Sequence, residues 1–178
     1  MRVIAGKAKG IVLKTPDGMQ TRPTADRVKE AMFSILQFEL PGARVLDLFG
    51  GTGQLGIEAL SRGASSAVFV DSAEAPCRLI KENLHRAGFE GTVVRADYLQ
   101  FLSKCRDSFD IILLDPPYAE VFLENSIKKI SEIDILKSSG IIVAERPVEK
   151  DLILEIEGFS RSKDYKYGKT LLTIFRKD

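Results

Sequence analysis

Apolar residues recur along this chain at two periods, and the alternation of those periods predicts its architecture. The run Ile111-Ile112-Leu113-Leu114 is unbroken, as expected of a strand buried on both faces of a parallel sheet. Similar short runs predict strands over 44–49, 67–71, 92–97 and 140–145. Between them lie helical segments: one from the glycine loop at 50–53 to about residue 62, one over 73–87 ending at Gly88, a short one through Leu102, one over 120–136 and a short one near 148–154. Residues 159–167 and 170–176 read as a closing strand pair turned at Gly168. Ahead of this series, 2–5 and 11–14 read as a small hairpin and Thr15-Pro16-Asp17-Gly18 as a turn. A helix follows, N-capped by Thr24 and ending before Pro41, with Val28, Ala31, Met32, Ile35 and Leu36 on its apolar face. Regular βα alternation specifies a doubly wound α/β sheet, and the terminal hairpin adds one antiparallel strand. Residues 1–40 are expected to form an N-terminal extension and 41–178 the main domain.

Composition narrows the class without naming it. At 178 residues with 44% hydrophobic and 29% charged positions, the chain reads as an ordinary soluble globular domain. No apolar run reaches membrane-spanning length and no signal-peptide core opens the sequence. Cys77 and Cys105 have no partner spacing and His85 is the only histidine, so neither a metal site nor a disulfide is expected, and a cytoplasmic location is. The net charge of +1 conceals an asymmetry: residues 1–30 and 160–178 each carry net +4, and the stretch between them carries −7. Basic ends on an acidic middle suggest a local surface for a polyanion.

The candidate chemistry sits where strands are predicted to end. Asp115-Pro116-Pro117-Tyr118 closes the fourth strand, since proline cannot continue a ladder. The ligand edge of an open α/β sheet lies at the carboxyl ends of its strands. There, the Asp115 carboxylate and the Pro116 carbonyl can accept the two N–H bonds of a planar amino group, Pro117 stiffens the turn, and Tyr118 offers a stacking face. Gly51-Thr52-Gly53-Gln54-Leu55-Gly56 is a GxGxxG loop between a strand and a helix, with Asp71 placed for ribose hydroxyls. Thus far a nicotinamide dinucleotide fits as well as S-adenosylmethionine. Asp47 ahead of the loop opposes a pyrophosphate and suits an ammonium or sulfonium, Asp97 can accept from an adenine amine, and hydride transfer has no use for Asp-Pro-Pro-Tyr. The cofactor site is accordingly assigned to Asp47, Phe49, Gly50, Gly51, Gly53, Asp71, Ser72, Asp97 and Tyr98. Phosphate contacts are assigned to Arg2, to Lys7 and Lys9 on a mobile glycine-flanked tip, and to Arg22, Arg27 and Lys169.

Over nearly its whole length the chain resembles the bacterial small-subunit ribosomal RNA guanine-N2 methyltransferases of the RsmD type. The resemblance is carried by Arg2-Val3-Ile4-Ala5-Gly6, by residues 21–28 (TRPTADRV), by Leu46-Asp47-Leu48-Phe49-Gly50-Gly51-Thr52-Gly53, by Asp115-Pro116-Pro117-Tyr118 and by Tyr167-Gly168. It implies a seven-stranded Rossmann-like methyltransferase fold with an N-terminal hairpin, S-adenosylmethionine as cofactor, and one guanine amino group of the small-subunit RNA as substrate. The RNA is met naked or in a partly assembled particle, by a monomer. Gly50 stands where the family often has alanine. The competing readings are an amino-methyltransferase acting on DNA bases, another RNA or protein glutamine, an NAD oxidoreductase, and a non-catalytic ribosome-assembly module.

Overall fold

The computed structural model describes residues 1–16, 23–117, 120–149, 152 and 156–177, with the backbone alone at 23–25 and 120. Seven strands form one sheet in the order β3-β2-β1-β4-β5-β7-β6. β1 (Arg44–Asp47), β2 (Ser66–Asp71), β3 (Thr92–Arg95), β4 (Phe109–Leu114) and β5 (Leu136–Pro147) run parallel. β7 (Thr170–Lys177) is antiparallel to both β5 and β6 (Phe159–Tyr167), so the chain closes as a hairpin on the sheet edge. The crossovers are α2 (Gln54–Ser61), α3 (Glu74–Ala87), α4 (Tyr98–Lys104) and α5 (Glu120–Ile133), and α1 (Pro23–Ile35) precedes the sheet. The doubly wound expectation holds, including its single antiparallel strand.

Period-two alternation divides the core between two faces. Val45, Phe69, Leu113, Val143 and Leu172 point toward α1, α2 and α3, where they meet Met32, Ile57 and Ile80. Leu46, Val70, Ile112, Leu114 and Ala144 point the other way, onto Leu102 of α4 and Ile127 of α5. Both faces of β4 are sealed, as its unbroken apolar run requires.

Several boundaries depart from the pattern: β1 ends at Asp47 and β3 at Arg95, each two residues short of the expected strand. α5 stops at Ile133 and not at 136, because Asp134 turns into the left-handed region (φ 56°) and Leu136 already pairs with Phe109 as the first residue of β5. Ile135 and Leu136 continue the apolar rhythm of the helix, so burial and not periodicity decides this end. The ladder then shifts register, resuming at Ile111 opposite Ile141, with Ser139 at φ 62° in the bulge between. The N-terminal hairpin is also slighter than expected. It has one bridge, Arg2 to Val12, supported by hydrogen bonds from Val3 N to Ile11 O and from Leu13 N to Met1 O. Thr24 was expected to cap α1, but the helix already includes Pro23, so Thr24 lies inside its first turn and does not cap it. Residues 17 and 18 of the expected turn and most of the helix near 148–154 lie outside the described residues; the described 148–149 form a turn. Among the described residues no helix is long and apolar enough to cross a membrane.

Candidate active site

Parallel packing brings four strand ends to one edge. Asp47 closes β1, Asp71 closes β2, Asp97 follows β3 and Asp115 follows β4. Asp47 lies opposite Phe69 and Leu113, so its carboxyl enters the same rim as Asp71 and Asp115, on the α1–α3 side of the sheet.

The loop after β1 is built by its glycines. Gly51 (φ 54°) and Gly53 (φ 79°) hold the left-handed turn that opens α2. A Cβ at Gly56 would come 2.2 Å from the Phe69 ring, so α2 lies against β2 only with glycine there, whereas a Cβ at Gly50 would meet only the movable end of Ile80 at 2.8 Å, a methyl that a family alanine can displace. Asp71 fixes the turn by accepting from Gly51 N and Ala73 N, both at 3.0 Å, and Ser72, the residue between Asp71 and Ala73, is exposed. Asp97 caps α4: its Oδ1 accepts from Leu99 N at 2.9 Å and from Gln100 N at 3.3 Å. Tyr98, the first residue of α4, packs on Phe49 with ring centroids 5.4 Å apart. Phe122 of α5 completes the cluster at 5.4 Å from Tyr98 and 6.3 Å from Phe49.

Asp47 is the most constrained group at this edge. Its Oδ2 accepts from Gly56 N at 3.0 Å, while Oδ1 is buried without a hydrogen-bond partner. Burial pushes its carboxyl up to about 7, and the negative neighbours Asp115 and Asp71 add to that. An enclosed acceptor lacking a donor fits a cationic ligand group and opposes a pyrophosphate. The donor set therefore suits S-adenosylmethionine, whose ammonium would meet Asp47, with ribose hydroxyls toward Asp71 and adenine toward Asp97 and the Phe49–Tyr98 cluster.

Asp115 and Pro116 leave the sheet directly after β4, half-buried, and Pro117 is exposed; Tyr118 lies outside the described residues. Burial pushes the Asp115 carboxyl up to about 6. Beside it is a group that the sequence reading did not assign, Glu145 on β5. Burial, reinforced by the charge of Asp115, raises its carboxyl to about 8. Phe122 was likewise unassigned. Its only sequence signal was an aromatic near the start of a helix, and Glu145 gave none beyond ending an apolar run.

The basic residues do not gather in one place. Lys7 and Lys9 are exposed, but their loop is tied to the far end of α2, through Lys7 N to Ser61 O at 2.8 Å and Ala8 N to Ser61 Oγ at 3.0 Å. The tip is thus anchored and not the mobile segment expected. The open end of the hairpin faces the glycine loop, where Asn83 Nδ2 donates to both Lys14 O and Thr52 O. Arg2 and Arg27 are exposed, and Arg22 lies outside the described residues. Lys169 is exposed in the β6–β7 turn, and its carbonyl accepts from Val148 N just past β5. That turn stands on the same sheet edge as Glu145 and Asp115.

Strand order, glycine loop and acidic rim together define a Rossmann-like methyltransferase. A family model described as conserved hypothetical protein 95 matches residues 1–176, and the chain belongs to that family, the RsmD type. Similar proteins include YlbH of Bacillus subtilis, 39% identical over 99% of both chains. Ribosomal RNA small subunit methyltransferase D of Escherichia coli is 31% identical over 100% of this chain and 90% of its own length. Among solved structures, yhhF of Escherichia coli superposes with a TM-score of 0.91 at 28% identity, covering 100% of this chain and 98% of that one.

Proposed function

We propose that this protein transfers a methyl group from S-adenosylmethionine to the exocyclic N2 of a guanine in small-subunit ribosomal RNA. The observation that carries the reading is the shared rim, with the unpaired Asp47 Oδ1 on the cofactor side and the Asp115-Pro116 acceptors beside it. The RNA substrate rests on what the relatives' names say of them.

S-adenosylmethionine supplies an electrophilic methyl carried on a sulfonium. The chain's own part is mainly positioning. The guanine amine is a poor nucleophile because its lone pair is delocalised into the ring. With the base turned out of the RNA stack, Asp115 and the Pro116 carbonyl accept its two N–H bonds and aim the nitrogen into the crevice. As the nitrogen gains carbon, its protons become acidic and the Asp115 carboxylate takes one. Burial, by raising the Asp115 carboxyl, makes it a better acceptor for that proton. Tyr118 serves as the stacking face. Residues 1–40 form an RNA-contacting extension in which Arg2, Lys7, Lys9, Arg22 and Arg27 meet phosphates, with Lys169 contacting them beside the crevice. The enzyme acts in the cytoplasm as a monomer, on the small-subunit RNA either naked or in a partly assembled particle.

The test is incubation of unmodified small-subunit RNA, naked and partly assembled, with the protein and methyl-labelled S-adenosylmethionine, followed by nucleoside digestion. N2-methylguanosine is the expected product. Methylated adenine or cytosine would keep the crevice and discard the guanine assignment.

A further inference from the structure

Glu145 stands beside the acceptor site, and neither the glycine loop nor Asp-Pro-Pro accounts for it. In the parallel β4–β5 ladder Leu114 lies opposite Ala144, so the next pair across the strands is Asp115 and Glu145. Ile111, Leu113, Ile141 and Val143 all face the α1–α3 layer. By alternation Asp115, one residue past the end of the ladder, and Glu145 emerge on that same face at the carboxyl edge, near enough for the charge of Asp115 to raise the Glu145 carboxyl. The row continues across the antiparallel pairs to Leu172 and then Tyr165, which place apolar and aromatic surface beyond Glu145. Arg146 turns to the opposite face, where it donates to Thr173 and Asp164. Among the described residues nothing donates a hydrogen bond to either carboxyl of the pair. The same rim holds the buried, unpartnered Asp47 Oδ1, a second mark of a built ligand site.

We propose that Glu145 selects guanine by accepting the N1–H bond of the target base while Asp115 and the Pro116 carbonyl hold its amino group. The proposal rests on the guanine-N2 reading above. Guanine places a ring N–H donor directly beside its exocyclic amine. Adenine and cytosine place a bare ring nitrogen there, whose lone pair an acceptor repels. A second acceptor adjoining Asp115 therefore welcomes one base and penalises the other two. The charge of Asp115 opposes ionisation of Glu145, and in either protonation state each carboxyl keeps an oxygen lone pair for the base.

The test uses a short RNA substrate made with either guanosine or 2-aminopurine at the modified position. 2-Aminopurine keeps the amine and has no N1–H. For wild type, Glu145→Ala and Glu145→Gln, kcat/KM is measured on both RNAs, and the dissociation constant of S-adenosylmethionine reports that the crevice is folded. Wild type should favour guanosine by on the order of 10-fold to 100-fold. In Glu145→Ala the loss should be much larger on guanosine, bringing the ratio near unity with cofactor affinity retained. Glu145→Gln keeps a carbonyl acceptor and should retain most of the preference. An unchanged ratio in Glu145→Ala, an equal loss on both RNAs, or a Glu145→Gln ratio as low as that of Glu145→Ala would overturn the proposal. Wild type inactive on guanosine but active on another base would instead overturn the guanine-N2 reading, and this proposal with it.

Discussion

Asp47 shows how one residue carries two kinds of information. Its place before the glycine loop was legible in the sequence as a carboxylate unsuited to a pyrophosphate. Its orphaned Oδ1 was not, because enclosure depends on α2 folding back to donate only to the other oxygen. The folded carboxyl titrates near about 7, against roughly 3.9 in an unfolded chain. The unfolded state therefore ionises first, and Asp47 costs the unliganded protein stability as pH rises from about 4 to about 7, by on the order of 4 kcal/mol at the top. Asp47→Asn should accordingly be more stable than wild type in urea, with a gap that widens from about pH 5 to about pH 8; a gap independent of pH would contradict the assignment. The same variant should bind S-adenosylmethionine on the order of 10-fold more weakly, because a charge-assisted partner is gone, as calorimetry would show. Glu145 was illegible for a different reason. It lies 30 positions from Asp115, and only the β4–β5 register makes them neighbours.

At the scale of elements, the hydrophobic pattern located most strands and helices, and the closing pair at 159–167 and 170–177 matches the expectation almost residue for residue. The α5–β5 boundary was missed because Leu136 satisfies both periods. The attachment of the N-terminal hairpin could not be read at all. It rests on Glu58 of α2, fully buried, whose carboxylate accepts from Ile4 N at 2.8 Å, Ala5 N at 3.0 Å and Arg62 Nε at 2.8 Å. Lys29 of α1 lies 3.5 Å from the same carboxylate and donates to Arg2 O, and its burial pulls the ammonium down from its usual range. A single side chain thus joins hairpin, α1 and α2. Glu58→Ala would strand a buried ammonium and two amides, so a loss of roughly 3–5 kcal/mol is expected in denaturant unfolding. Amide exchange at Ile4 and Ala5 should accelerate most. Protection there equal to wild type would show that the hairpin is held without Glu58, by its apolar contacts and its ties to Ser61 and Asn83.

Across the whole molecule, charge is divided as the sequence suggested, with basic termini and an acidic middle whose carboxyls form the crevice. The fold separates the basic groups, since Lys7 and Lys9 sit at the far end of α2 and Lys169 at the crevice edge. An RNA gripped through these phosphates should bind more weakly as salt rises. Lys169→Ala should lower the log–log salt slope by about one and weaken binding alike for all base sequences. A flat salt dependence would sink the phosphate-grip account. The central claim is that Asp115 holds the amine being methylated, and it is tested most directly by Asp115→Asn. Single-turnover methyl transfer to small-subunit RNA would be measured beside the dissociation constant of S-adenosylmethionine. A rate reduced by about 10²-fold or more, with cofactor affinity unchanged, is the predicted result. Transfer at the wild-type rate would contradict the account.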